Sequence, residues 1–128
     1  GAAYTIRNPF HETAKQFALH FAIPELNHHL LEGLTFPKEL KNLLYFIFVQ
    51  SNIYDKRNIK RMTLTQEVIK SNNIPYETIN LSGYSALTQV FELIQWGSWV
   101  TFYLAMLHDI DPSEIPWVDY FKKKLSAK

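Results

Sequence analysis

The sequence predicts an α/β fold, a small parallel sheet flanked by helices, in a single domain over residues 1–128. Residues 43–49, LLYFIFV, form a continuous apolar run of strand length and aromatic, β-branched character, typical of a strand covered on both faces. A helical segment over residues 55–71 and an alternating stretch over 76–81 follow it, making a strand, helix, strand unit. Such a unit crosses over right-handedly and sets its strands side by side in parallel. The third observation is size: 128 residues, 47% hydrophobic and 15% aromatic, bury one ordinary core and are too few for two independent domains.

The remaining elements follow in chain order. Phe10, Ala14, Phe17, Ala18 and Phe21 recur at three- and four-residue steps, which predicts an amphipathic helix over residues 10–21 with Pro9 in its first turn. The pattern leaves residues 2–8 open between a preceding helical turn and a frayed end. Pro24 opens a second short helix running through Leu31, which Gly33 closes in a left-handed conformation. Asn72, Asn73 and Pro75 break the chain before the strand at 76–81, where Ile79 and Leu81 share a face. Residues 82–85 supply turn and capping groups for a long helix over 86–108, expected to bury Leu87, Val90, Phe91, Ile94, Tyr103, Leu104 and Leu107. Gly97 reads as a close-packing point. Asp111, Pro112 and Ser113 end that helix, and residues 117–125 form a last one with its basic residues where the helix dipole favours them.

Composition narrows the function classes. Thirteen basic and twelve acidic residues leave a formal net charge of +1, so the balance calls for no nucleic acid, no membrane and no polyanionic partner. The absence of cysteine excludes disulfides, thiolate zinc sites and a cysteine nucleophile, and suits a cytoplasmic location. The most apolar stretch, residues 90–107, is interrupted by Glu92, Gln95, Ser98 and Thr101 and reads as a buried core helix rather than a membrane span. None of the four glycines makes a dinucleotide fingerprint or a phosphate loop. His11 and Glu12 begin an HExxH pattern, but Lys15 stands where the second histidine belongs. His28 and Glu32 lie one helical turn apart, with His29 adjacent to His28, and the sequence places no third ligand, so no metal site is expected. Lys56, Arg57, Lys60 and Arg61 form a solvated basic face of the crossover helix, and Trp96, Trp99, Phe102 and Tyr103 a core or oligomer contact. Glu12 and His28 are expected at the ends of neighbouring helices near the top of the sheet, where sites of α/β folds gather.

Residues 11–29, HETAKQFALHFAIPELNHH, carry Glu12, Ala14 and Lys15 and then Pro24, Glu25, Leu26, Asn27 and His28. The chain closes on an aromatic helix, an Asp111–Pro112 turn, and Pro116, Asp119 and Tyr120 before a lysine run. In these two motifs the sequence resembles the bifunctional phosphoglucose/phosphomannose isomerases. The resemblance implies the C-terminal SIS (sugar isomerase) domain of a two-SIS-domain chain. The strand that precedes the first helix in that family has no counterpart, so the sheet is expected to lack its first strand.

Carried over by motif, Glu12 resembles the base that moves a proton between C1 and C2 of an open-chain hexose 6-phosphate through an enediol. His28 resembles the histidine that assists ring opening and reaches a neighbouring subunit, implying a homodimer. Lys122 best matches the lysine near the ring oxygen and C1, with Lys123 the one-residue alternative. His29 departs from the asparagine usual after the motif histidine. No metal or organic cofactor is implied. The expected function is aldose-ketose isomerisation of glucose 6-phosphate or mannose 6-phosphate to fructose 6-phosphate within a larger protein, the isolated domain being inactive. The alternatives are a non-catalytic sugar-phosphate-binding regulatory SIS module and a structural dimerisation module.

Overall fold

The chain runs α1 (Ala2–Glu12), α2 (Leu26–Gly33), α3 (Leu40–Leu43), β1 (Phe46–Ser51), α4 (Lys56–Ser71), β2 (Tyr76–Leu81), α5 (Ala86–Leu107) and α6 (Pro116–Ser126) in the computed structural model, which describes residues 1–127. These residues group into two units. One is His20–Glu92; the other is Gly1–Leu19 together with the chain from Leu93 onward.

The first unit holds the strand, helix, strand motif. β1 and β2 pair in parallel, with Phe46 opposite Tyr76 at one end and Ser51 opposite Leu81 at the other. Its core is Leu34, Phe48, Met62, Ile69 and Ile74, with Leu30, Leu31 and Phe46 packed around them. Asp55 caps α4, its carboxylate accepting from Arg57 N at 2.9 Å, which satisfies one of the amides a helix start leaves unpaired. Lys56, Arg57 and Lys60 on this helix are exposed.

β1 begins three residues later than expected. Leu40–Leu43 turns as the short α3, Leu44 is extended with its amide on Leu40 O, and pairing starts where Phe46 meets Tyr76. An unbroken apolar run has no period from which to locate a strand's first rung. Nor is the strand covered on both faces, since Ile47 is 38% exposed.

α2 also starts late. Pro24 and Glu25 belong to a tight lead-in, with Asn27 N on Pro24 O and His28 N on Glu25 O, and α-helical geometry begins at Leu26. Gly33 takes no positive φ; the chain passes through a right-handed Leu34, which is drawn into the core and turns the backbone without a left-handed residue.

The second unit differs most from expectation. The helix predicted over 10–21 is absent; α1 occupies 2–12, with Pro9 inside it and Glu12 as its last residue. Lys15 takes a left-handed φ of 54°, while Ala14 N reaches back to Pro9 O and Gln16 N to Phe10 O at 2.8 Å. His11 Nε2 receives the Ala18 amide at 3.0 Å, folding the following segment back on the end of α1. Residues 15–23 form no helix, and Phe17 and Phe21, placed on the expected buried stripe, are 75% and 49% exposed. Apolar spacing recorded their periodicity but not the turn that interrupts it.

α5 has the expected bounds to within one residue but buries a different stripe, and of the residues expected to be buried only Ile94 and Leu104 are partly so. Gln89, Leu93, Gly97, Thr101 and Ala105, spaced four apart, are its buried positions, whereas Leu87, Phe91, Tyr103 and Leu107 are exposed. Close approach selects the small residues. A Cβ on Gly97 would stand 2.9 Å from Ile6 Cγ2, so α1 contacts α5 where the latter has no side chain. Thr101 is tolerated there because its hydroxyl donates to Gly97 O at 2.8 Å. By length and composition α5 is apolar enough to cross a membrane, yet apart from Leu93 its buried stripe is built of small and hydrogen-bonded polar groups. α6 buries none of its residues.

Candidate functional site

In open α/β sheets ligands approach the carboxyl ends of the strands, and here those ends are tied together by polar side chains from α5. Ser51, the last residue of β1, is buried and its hydroxyl donates to Gln89 Oε1. Gln89 Nε2 in turn donates to Asn52 Oδ1 at 2.9 Å and to Gly83 O at 2.8 Å, bridging the turns that follow β1 and β2. One helical turn on, the Glu92 carboxylate accepts from Ser82 N, Ser82 Oγ and Gly83 N, each with a contact of 2.9 Å. Those donors, the Gly83 amide foremost, hold the Glu92 carboxyl below the ordinary glutamate pKa. Gly83 is fixed by this packing, since a Cβ there would lie 2.7 Å from Thr88 Oγ1 and 2.9 Å from Gln89 N.

The sequence-predicted residues sit on three helices. Glu12 is the last residue of α1 and exposed; Lys122 is exposed in the middle of α6; both belong to the unit containing the chain termini. His28 is exposed near the start of α2, in the unit that holds the sheet. Lys15 braces the turn beyond Glu12, donating from Nζ to Glu12 O at 2.5 Å and to Pro112 O at 3.3 Å. Pro112 follows Asp111, whose carboxyl is lowered by hydrogen bonds from the Ser113 hydroxyl and amide and by the Lys15 charge. The α1 terminus bearing Glu12 and the α5–α6 turn are thus joined through one ammonium group.

His29 is exposed beside His28, the two rings tilted at 48° with centroids 6.2 Å apart. Among the described residues no group of three or more His, Cys, Asp or Glu side chains is placed to hold a metal. The unit with the sheet has two shallow hollows. One, of about 250 Å³, is bordered by Lys38, Lys41 and Asn73; the other, of about 190 Å³, by Asn27, Arg61 and Thr65. Glu12, His28 and Lys122 line neither.

The sequence gives no structural role to the polar groups that organise these elements: Gln89, Glu92, Lys15, and the Asn27–Thr65 pair, where Asn27 Nδ2 donates to Thr65 Oγ1 at 2.7 Å. A signal was available for two of them. Gln89 interrupts an apolar helix, and Thr65 falls between Met62 and Ile69 on the buried stripe of α4, positions at which a polar atom must find a partner.

Residues 1–125 match the model of the family described as bacterial phospho-glucose isomerase C-terminal SIS domain. The chain is 33% identical over 115 residues to a bifunctional phosphoglucose/phosphomannose isomerase of Caldicellulosiruptor bescii, covering 90% of this chain and 34% of that protein. It is 30% identical over 124 residues to the protein of the same name from Thermoplasma volcanium, covering 97% of this chain and 39% of that one. The chain therefore spans little more than a third of the length of these relatives. In fold it is similar to the crystal structure of a glucose-6-phosphate isomerase like protein from Thermus thermophilus, with a TM-score of 0.69 at 20% identity over 91% of this chain and 38% of that one. By the family match over nearly its whole length, the chain belongs to the C-terminal SIS domains of the bacterial phosphoglucose isomerases.

Proposed function

We propose that this chain is the C-terminal part of an enzyme that interconverts aldose and ketose hexose 6-phosphates, glucose 6-phosphate or mannose 6-phosphate with fructose 6-phosphate. The observation that carries the reading is Glu12. It ends α1 on an exposed turn braced by Lys15, within a chain whose relatives are named phosphoglucose/phosphomannose isomerases. A carboxylate on a helix end suits the task, because it must take a proton from one carbon and return it to its neighbour within a single turnover.

In this reading Glu12 shuttles the proton between C2 and C1 through an enediol. His28 gives and takes the proton that opens the sugar ring, a task for which imidazole is suited near neutral pH. Lys122, or Lys123 beside it, places positive charge near the ring oxygen and C1. The chemistry needs no metal or organic cofactor, since the carbonyl and hydroxyl exchange places by proton transfer alone.

The site is completed by parts outside this chain: an upstream SIS domain, and a second subunit to which His28 contributes. Exposed apolar residues on α5 and α6, among them Tyr103, Leu107, Trp117 and Phe121, supply surface for such neighbours. The cytoplasm is the compartment that suits a cysteine-free chain acting on phosphorylated sugars.

The test is to assay the intact parent protein with each hexose 6-phosphate and repeat it with Glu12→Gln. Turnover by the wild type, and substrate binding without turnover by the variant, supports the reading. Binding of sugar phosphates without turnover by the wild type would instead make the chain part of a regulatory module.

A further inference from the structure

α2 has little of its own to hold it. It is eight residues long, has no side-chain cap, and a helix of this length does not persist in water by itself. Its apolar anchors are Leu26 at its start and Leu34 just past its end, 8% and 5% exposed, with Leu30 and Leu31 packed on the core between them. Apolar contact fixes which face is inward only loosely, because it has no direction.

The directional contact is Asn27 Nδ2 to Thr65 Oγ1, 2.7 Å, which crosses from α2 to α4. Thr65 is fully buried, and its own proton is committed to Arg61 O at 2.7 Å. The hydroxyl therefore presents a fixed lone pair to Asn27. A valine would fill the same space between Met62 and Ile69 but would remove the acceptor that Asn27 uses.

Asn27 immediately precedes His28. We infer that Asn27 and Thr65 are a positioning pair that sets the rotation of α2 about its axis and so the direction in which the His28 imidazole projects. A side chain lies roughly 6 Å from the axis of its helix, so a 20° rotation, itself about a fifth of a residue step, carries the ring about 2 Å. Displacements of that size at a reacting group cost on the order of tenfold to a hundredfold in rate. The inference rests on the reading of His28 as the ring-opening group and adds to it the residues through which the fold aims that group.

The experiment uses the intact parent protein with glucose 6-phosphate, comparing Thr65→Val, Thr65→Ser and Asn27→Ala, with Thr65→Val and Asn27→Ala each repeated in a His28→Gln background below the unfolding temperature. Thr65→Val and Asn27→Ala are expected to lower kcat about tenfold with KM changed less than about twofold, and Thr65→Ser to restore it. In the His28→Gln background neither substitution should lower kcat further, because groups acting through one side chain are not additive. Wild-type kcat in both Thr65→Val and Asn27→Ala, or an equal loss in both backgrounds, overturns the positioning role and leaves the reading of His28 intact. An unchanged kcat in His28→Gln alone overturns that reading, and the positioning role with it. Should Thr65→Val fail to fold, Asn27→Ala makes the same comparison from a half-buried position.

Discussion

Glu92 takes hydrogen bonds from two backbone amides and a hydroxyl, and this sets both its charge and the shape of the turn after β2. Because its folded pKa is depressed, the stabilisation it confers is present above the unfolded value near 4.5 and is lost as pH falls through the lower folded value. Urea unfolding of Glu92→Gln should therefore show a lower midpoint than the wild type at pH 7, with the gap closing between pH 4.5 and more acidic conditions. A gap independent of pH would mean that the carboxylate charge does not hold this turn. Glu12, by contrast, was visible in the sequence only through its motif: a glutamate on an exposed helix end carries no spacing that separates a base from a solvated surface group. Gln89 and Thr65 were legible in principle, since Gln89 interrupts an apolar helix and Thr65 falls between Met62 and Ile69 on the buried stripe of α4, and their hydrogen bonds follow from that burial.

Among the elements, β2, α4, α5 and α6 were located by the sequence to within about one residue, because each is bounded by groups with a local role: Asp55 as a cap, Asn72 and Pro75 as breakers, and Pro116 in a first turn. α1 was misplaced because its end is set by a left-handed Lys15 and by contacts from His11 and Lys15, none of which leaves a periodic trace. The buried stripe of α5 was misplaced at most of its positions for a related reason, although Gly97 is the close-packing point it was read as. Hydrophobicity points to the bulky residues, while the close passage of α1 leaves no room for a side chain at Gly97. Gly97→Ala tests this directly. The added methyl would stand 2.9 Å from Ile6 Cγ2 and 3.0 Å from its Cβ, so the β-branched Ile6 would have to shift. The clash should outweigh the roughly 1 kcal/mol gained in helix propensity and leave a net loss of about 1–2 kcal/mol in thermal or urea unfolding. Combining it with Ile6→Ala should lose less than the sum of the two single substitutions; strict additivity would contradict the contact.

At the scale of the molecule, several large apolar side chains of α5 and α6 stand exposed. Leu107 and Trp117 are more than 80% exposed, Phe121 and Leu125 more than 60%, and α6 has no buried residue. Surfaces of this kind are normally covered. With α6 as an assembly face, Trp117→Glu combined with Phe121→Glu is expected to weaken assembly of the parent protein in sedimentation velocity; an unchanged association state would show that this face takes no part in assembly. The proposed completion of the site by other parts of the parent protein calls for such a surface. The central claim is that Glu12 moves a substrate proton, and the measurement nearest to it is hydrogen exchange. The intact parent, incubated with fructose 6-phosphate in deuterated water, should introduce deuterium at C1 of recovered substrate and at C2 of the aldose product, and Glu12→Gln should lower that incorporation by at least about a hundredfold with substrate still bound. Undiminished deuterium incorporation by Glu12→Gln would contradict the account.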